Sequence, residues 1–143
     1  MKNTKSRNGF TLIELIIVMV ILGIMAAVAV PRYLDSISNA EEAAEDAVIS
    51  AIRSGLTQYA NNSLYESGRA EWPDNPFDAL AEKPVGYSTD GTDADSDGEW
   101  TFSSGRITHQ RADNSRFEWS YDPGIQGGGD DAKVGTLGQR TAI

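Results

Sequence analysis

From Phe10 to Val30 the chain reads FTLIELIIVMVILGIMAAVAV, 21 residues with a single charge, Glu14. At a rise of about 1.5 Å per residue this run makes roughly 31 Å of helix, about the thickness of the hydrocarbon core of a bilayer. The segment is therefore expected to span a membrane. Ahead of it, residues 1–9 carry Lys2, Lys5 and Arg7 and no acid. Cations collect on the cytoplasmic side of spanning helices, so the N-terminus is expected in the cytoplasm and everything after Val30 on the far side. A secretory signal peptide has the same order of charge, apolar run and small residues, and Ala27 or Ala29 would serve as its cleavage site. The run is longer than an ordinary signal core. Glu14 also weighs against that alternative, because a carboxylate in the membrane costs about 2.5 to 3.5 kcal/mol on insertion scales and marks a function with a partner close by.

The 143 residues include 12 Lys plus Arg against 21 Asp plus Glu, a formal charge of −9, and no cysteine. This length suits one domain. The acidic balance argues against nucleic acid as a partner, since phosphate binding is driven by Lys and Arg releasing counterions. Without cysteine there is no disulfide, no thiol nucleophile and no Cys-type metal cluster. A mean hydropathy of −0.36 resembles that of a soluble protein only because the apolar block is averaged with a polar remainder. The single histidine, His109, falls in an expected strand, and neither a Gly-x-Ser-x-Gly elbow nor a phosphate-binding loop occurs. The chain is not expected to be an enzyme.

Gly9-Phe10-Thr11-Leu12-Ile13-Glu14-Leu15 follows the short basic leader, and Ala26-Ala27-Val28-Ala29-Val30-Pro31-Arg32-Tyr33 ends the apolar run. This stretch resembles the N-terminus of type IV pilins and their relatives, the type II secretion pseudopilins. The resemblance implies a membrane-embedded prepilin peptidase that cuts between Gly9 and Phe10 and N-methylates the new Phe10 amine, leaving the apolar segment in place. It also implies an inner-membrane assembly platform, and a subunit that leaves the inner membrane for a homo- or hetero-filament in the periplasm or outside the cell. To Glu14 it gives a pairing with the Phe10 amine of a neighbouring subunit. Such a desolvated pair is strong when both members are present, while losing one partner costs about 3 to 5 kcal/mol. Pro31 sits in a continuing helical pattern, so a kink is expected there, and the resemblance makes the stretch from Gly23 to Pro31 one that loosens on assembly.

Beyond Pro31, Leu34, Ile37, Ala40, Ala44, Ala47, Val48, Ala51, Ile52, Leu56 and Tyr59 recur at spacings of three and four, the stripe of an amphipathic helix. Asp35, Glu41, Glu42, Glu45 and Asp46 are expected opposite them, either solvated or facing basic patches of adjacent subunits. A helix from Phe10 to about Asn61 would be roughly 78 Å long, with residues 10–30 in lipid or a filament core and residues 31–61 amphipathic. Residues 62–98 read as a connecting region with a short helix near Pro76 to Ala81, and Asn75-Pro76-Phe77-Asp78-Ala79-Leu80 resembles the same region of pseudopilins and of mannose-sensitive haemagglutinin-type pilins. Within residues 99–143, Glu99 to Ser103, Arg106 to Gln110 and Arg116 to Tyr121 read as strands, joined by turns at Ser104-Gly105 and Asp113-Asn114. Gly127-Gly128-Gly129-Asp130-Asp131 onward reads as a flexible or closing loop. The expected class is α+β: a long N-terminal helix packed on a small antiparallel sheet of three or four strands, with aromatic side chains filling the core.

Asp93-Ala94-Asp95-Ser96-Asp97-Gly98-Glu99 places oxygen ligands at positions one, three and five and a glycine at six, as calcium loops do. Position twelve is Ser104 rather than a bidentate Glu, so a full EF-hand is out. A shortened calcium site of Asp93, Asp95, Asp97 and Glu99, closed by Asp90, Asp130 or Asp131, and a solvated acidic turn are both open. The resemblance adds one reason for calcium: many type IV pilins close their C-terminal region with a disulfide, and some pseudopilins use calcium instead. The reading is a structural subunit of an extracytoplasmic helical filament, a type IV pilus or a type II secretion pseudopilus. The missing cysteines and the Asp-rich run favour the latter. The alternative is a membrane-anchored or secreted calcium-dependent binding module. Loss of the leader would leave nine bases against 21 acids, a balance of −12.

Overall fold

The computed structural model describes residues 9–124 and 135–143. The basic leader cations Lys2, Lys5 and Arg7, and the run from Gly127 to Asp131, lie outside the described residues. The chain divides into two compact units, Met1–Glu42 and Ala43–Ile143. One helix, α1 (Leu12–Ser67), begins in the first unit and ends in the second, and Pro31 lies inside it without ending it. The helix outlasts the expected end at Asn61. Its stop is Gly68, which adopts φ +76° and donates its N–H to the Leu64 carbonyl at 2.9 Å, the left-handed cap that only glycine takes without strain.

In the first unit every large apolar side chain from Phe10 to Leu34 is exposed, none less than 45%. This part of α1 is long and apolar enough to cross a membrane. Its surface is the wrong one to leave in water, so it belongs in lipid or against other apolar helices.

The second unit holds a 3-10 turn at Pro76–Ala79 and five strands: β1 (Trp100–Ser103), β2 (Arg106–Gln110), β3 (Arg116–Asp122), β4 (Thr136–Leu137) and β5 (Thr141–Ala142). This is the expected α+β class, with more strands than expected. β1, β2 and β3 form an antiparallel meander, and both short C-terminal strands lie along β3, Leu137 opposite Tyr121 and Ala142 opposite Phe117. The β1–β2 turn is Ser104-Gly105, with φ of 50° and 77°, the two positive values of a tight hairpin turn whose twist matches the strands.

One face of the sheet turns Trp100, Ile107, Trp119 and Tyr121 onto Ile49, Ile52 and Leu56 of α1 and onto Phe77 of the 3-10 turn. Trp100 stacks with His109, at 4.2 Å between ring centroids, and with Trp119, at 5.7 Å. The Tyr121 hydroxyl donates to the Pro73 carbonyl at 2.7 Å, which meets the demand of a buried polar group for a partner.

The helix face that packs here differs from the expected stripe. The buried positions of α1 are Glu45, Ile49, Ile52, Leu56 and Ala60, while Ala40, Ala44, Ala47, Ala51 and Tyr59 are exposed. The spacing of three and four holds: Ile52 and Leu56 of the expected stripe are buried and Val48 is half-buried, Glu45, Ile49 and Ala60 join them, and the alanines at 40, 44, 47 and 51 do not. Large Ile and Leu side chains reach the sheet, and the alanines are too small to compete for it.

Where α1 meets the 3-10 turn, a side chain at Gly55 would place its Cβ 2.5 Å from the Ala79 carbonyl oxygen, so only glycine allows the approach. Gly55→Ala is expected to destabilise the fold by about 1–3 kcal/mol through overpacking. Chemical denaturation of the two proteins side by side checks it.

Candidate assembly site

Thr11 and Glu14 start α1 as a reciprocal pair. The Glu14 carboxylate, through Oε2, accepts the Thr11 backbone N–H at 2.8 Å and the Thr11 hydroxyl at 2.7 Å. The Glu14 backbone N–H returns a bond to Thr11 Oγ1 at 3.3 Å. This is the capping-box arrangement of a Thr followed three residues on by Glu. The acid that looks expensive inside an apolar segment therefore has a local role at the helix start. Both bonds fall on one carboxylate oxygen, and a carboxylate has lone pairs on both, so Oε1 can accept from a further donor. Gly9 and Phe10, the residues flanking the expected cut, are exposed. Pro31 is exposed as well, and Gly23 has open space around it.

A second cluster lies inside the second unit, and no motif announced it. Glu45 is fully buried on the sheet-facing side of α1. Arg111, just past the end of β2, meets it as a fork, Nε to Oε1 and Nη2 to Oε2, each at 2.6 Å. His109 Nδ1 lies 3.0 Å from Oε1, and Arg140, between β4 and β5, donates to Oε2 at 3.0 Å. Burial alone would push the Glu45 carboxyl up. Hydrogen bonds from Arg111, His109 and Arg140 outweigh that and hold it at about 2, below the ordinary 4.5. The Arg111 guanidinium also lies over the Phe117 ring at 4.0 Å.

Sequence reasoning placed Glu45 on a solvated face and gave His109 no role. The signal was available in the spacing: counting back from Leu56, Ile52 and Ile49 by the same three-and-four steps lands on Glu45.

The Asp-rich run is a lid on the other face of the sheet. Ala94 is fully buried there, and its N–H donates to Thr108 Oγ1 at 2.8 Å while Thr108 and Thr101 share a hydroxyl bond of 2.7 Å. Asp93 faces Arg106, whose guanidinium is 3.2 Å away, and accepts from the Ser103 hydroxyl. The Glu99 carboxylate turns back onto the N–H groups of Asp95 and Ser96, at 2.9 and 3.2 Å. Asp95 and Asp97 are exposed. Among the described residues no three Asp, Glu or His side chains are gathered as metal ligands. As placed, Asp93, Asp95, Asp97 and Glu99 do not fit a calcium cage, because the first is spent on Arg106 and the last on backbone donors. Asp130 and Asp131 lie outside the described residues.

Residues 4–30 match the family model of the prokaryotic N-terminal methylation motif. The chain is 42% identical over 101 residues to the type IV narrow pilus major component PilA5 of Thermus thermophilus, covering 71% of this chain and 75% of that protein. It is 37% identical over 78 residues to the type IV major pilin protein PilE1 of Neisseria gonorrhoeae, covering 54% of this chain and 44% of that one. It is 35% identical over 86 residues to the type II secretion system core protein G of Vibrio cholerae, covering 59% and 56%. No solved structure matches it.

The Glu45 cluster makes two measurable claims. The folded state holds the Glu45 proton less readily than the unfolded one, so the stability this carboxylate contributes is complete above pH 4.5 and lost as pH falls through about 2. The size is on the order of 3 kcal/mol. Glu45→Gln is expected to cost about 3–5 kcal/mol at pH 7, because it leaves buried cations without their carboxylate, and to flatten the acid limb of the stability curve. Urea unfolding of both proteins from pH 7 down to pH 2 reads both effects.

Proposed function

The chain belongs to the family of type IV pilins and type II secretion pseudopilins, and from that premise we propose that it is a structural subunit of an extracytoplasmic helical filament of the pilus kind. The observation that carries the reading is a methylation motif leading into a helix whose large apolar side chains stay uncovered from Phe10 to Leu34. The pilus kind is favoured because the likeness to the narrow pilus component is higher in identity and covers more of both proteins than the likeness to core protein G. It also extends past α1, which ends at Ser67, into the part that bears the sheet.

The bilayer holds the apolar part of α1, with the basic leader on the cytoplasmic side. Prepilin peptidase cleaves between Gly9 and Phe10, and the new Phe10 amine is methylated. When subunits leave the membrane on the assembly platform, neighbours' apolar side chains replace lipid. That exchange supplies little net drive and no register, since lipid tails are as apolar as leucine. Register has to come from a polar pair. Glu14 provides it: Oε2 keeps the Thr11 donors in place, and Oε1 takes the cationic Phe10 amine of a neighbouring subunit. The work of the chain is assembly rather than turnover.

Mass spectrometry of the mature protein is expected to find N-methyl-Phe10 as the first residue. An N-terminus at Met1, or beyond Val28, ends this reading. Glu14→Gln is expected to leave cleavage intact and to lower filament yield at least tenfold, because removing the charge strands the neighbour's amine. Sheared-filament yield and the mass of the processed subunit, taken from the same cells, check the two halves together.

A further inference from the structure

The alanine face that the sheet leaves uncovered is not featureless. Ala47, Val48 and Ala51 of α1 form one wall of a groove whose other wall is Leu80, Glu82 and Pro84, enclosing about 270 Å³. Its lining is apolar apart from Glu82. Small-molecule sites run from about 300 to 1,000 Å³ and carry several convergent polar groups. This groove is smaller and has one acid, which suits a few side chains from a protein surface. Glu82 is exposed, and the adjacent cation does not neutralise it, since Lys83 is committed to the Asp78 carboxylate and the Phe77 carbonyl. Among the described residues Glu82 has no ion pair.

The same chain carries the complementary shape and charge. Ile21, Met25, Val28 and Arg32 follow one another at spacings of four, three and four, so they share one face of α1. The three apolar members are 51–63% exposed. Arg32 is the one base between Phe10 and Glu42. It too is exposed and has no ion pair among the described residues.

We propose that the groove between Ala47/Ala51 and Leu80/Pro84 receives the Met25–Val28 face of a second copy of this chain, with the second copy's Arg32 paired to Glu82. This names a contact within the filament and rests on the subunit reading above. The alanines let the incoming helix approach closely, as small residues do at helix–helix contacts, and Met25 and Val28 fill the space between the walls. The contact joins different surfaces on the two copies. Such a heterologous contact builds a helical array wherever its rotation does not close into a ring.

The cysteine-free chain makes the test clean. Full-length Arg32→Cys and Glu82→Cys variants, co-expressed in cells that assemble the protein, are treated with a short bis-maleimide, because an Arg–Glu pair spans more than a disulfide can bridge. A crosslinked dimer mapping to positions 32 and 82 is expected when both variants are present, and none when Glu82→Cys is replaced by Thr57→Cys. In parallel, Arg32→Glu and Glu82→Arg are each expected to lower the assembled fraction about five- to tenfold, and the double reversal to restore it. Filaments from the unmodified chain combined with no 32–82 crosslink, with crosslinks from position 82 to another surface, or with a double reversal no better than either single one overturn the groove contact and leave the subunit reading standing. If the unmodified chain forms no filaments, the subunit reading falls and this contact falls with it.

Discussion

The second unit depends on a buried carboxylate. Glu45 has no exposed surface, and a carboxylate so placed is tolerable only if fully paired. Three groups pair it, and they come from different stretches of the chain: His109 from β2, Arg111 from the turn that follows, and Arg140 from the segment between β4 and β5. One acid on the helix thus fixes where the β2–β3 hairpin and the C-terminus lie against α1. In a chain with no cysteine, this cluster and the pairing of β4 and β5 with β3 close the C-terminal segment. The cost is specificity of state: a buried pair stabilises only while every member is present and correctly charged.

The strongly periodic parts of this fold were legible in the sequence. The apolar run from Phe10 to Val30, the alternation through Phe117, Trp119 and Tyr121, and the Ser104-Gly105 turn all lie where the pattern put them. What changed was the membership of the helix stripe, with Ile52 and Leu56 buried as expected, Ile49 and Glu45 buried beside them, and the alanines left outside. Ala44, Ala47 and Ala51 and the set Ile49, Ile52 and Leu56 keep the same three-and-four spacing, and a helix with two apolar faces gives no internal sign of which one the sheet covers. Side-chain volume decides it, because an isoleucine buries far more apolar area than an alanine. The Glu45 cluster was illegible for a related reason. Its partners are 64 to 95 residues away in sequence, so nothing local marks them. Thr11 and Glu14 stand three apart and could have been read as a helix cap from their spacing alone.

The Asp-rich run shows why a ligand pattern needs its surroundings. Asp-x-Asp-x-Asp-Gly is shared by cation loops and by tight acidic turns, and what each carboxylate faces bears on which it is. Ala94, between the first two acids, is buried. Its N–H donates to the Thr101–Thr108 hydroxyl pair on the far face of the sheet, and the neighbouring Asp93 faces Arg106. Arg106 also holds Glu118 on the neighbouring strand at 2.6 Å, so the loop, β2 and β3 share a single cation. Within the run, Asp93 is drawn to Arg106 and Glu99 to backbone N–H groups, while Asp95 and Asp97 stay exposed.

That economy of cations shapes the outside of the molecule. Lys83, Arg106, Arg111 and Arg140 are all tied to acids within the second unit, while Glu66, Asp95 and Asp97 are exposed. The surface of the second unit is accordingly acidic. At physiological salt repulsion between two such surfaces decays over about 8 Å, and between two exposed charges 4 Å apart in water it amounts to roughly 1 kcal/mol. Burying one Met, Ile or Leu side chain is worth about 1.5–3 kcal/mol. A few apolar contacts therefore outweigh the repulsion only where they are close and well fitted. The charge of such a chain therefore favours association through defined apolar seams over loose contact.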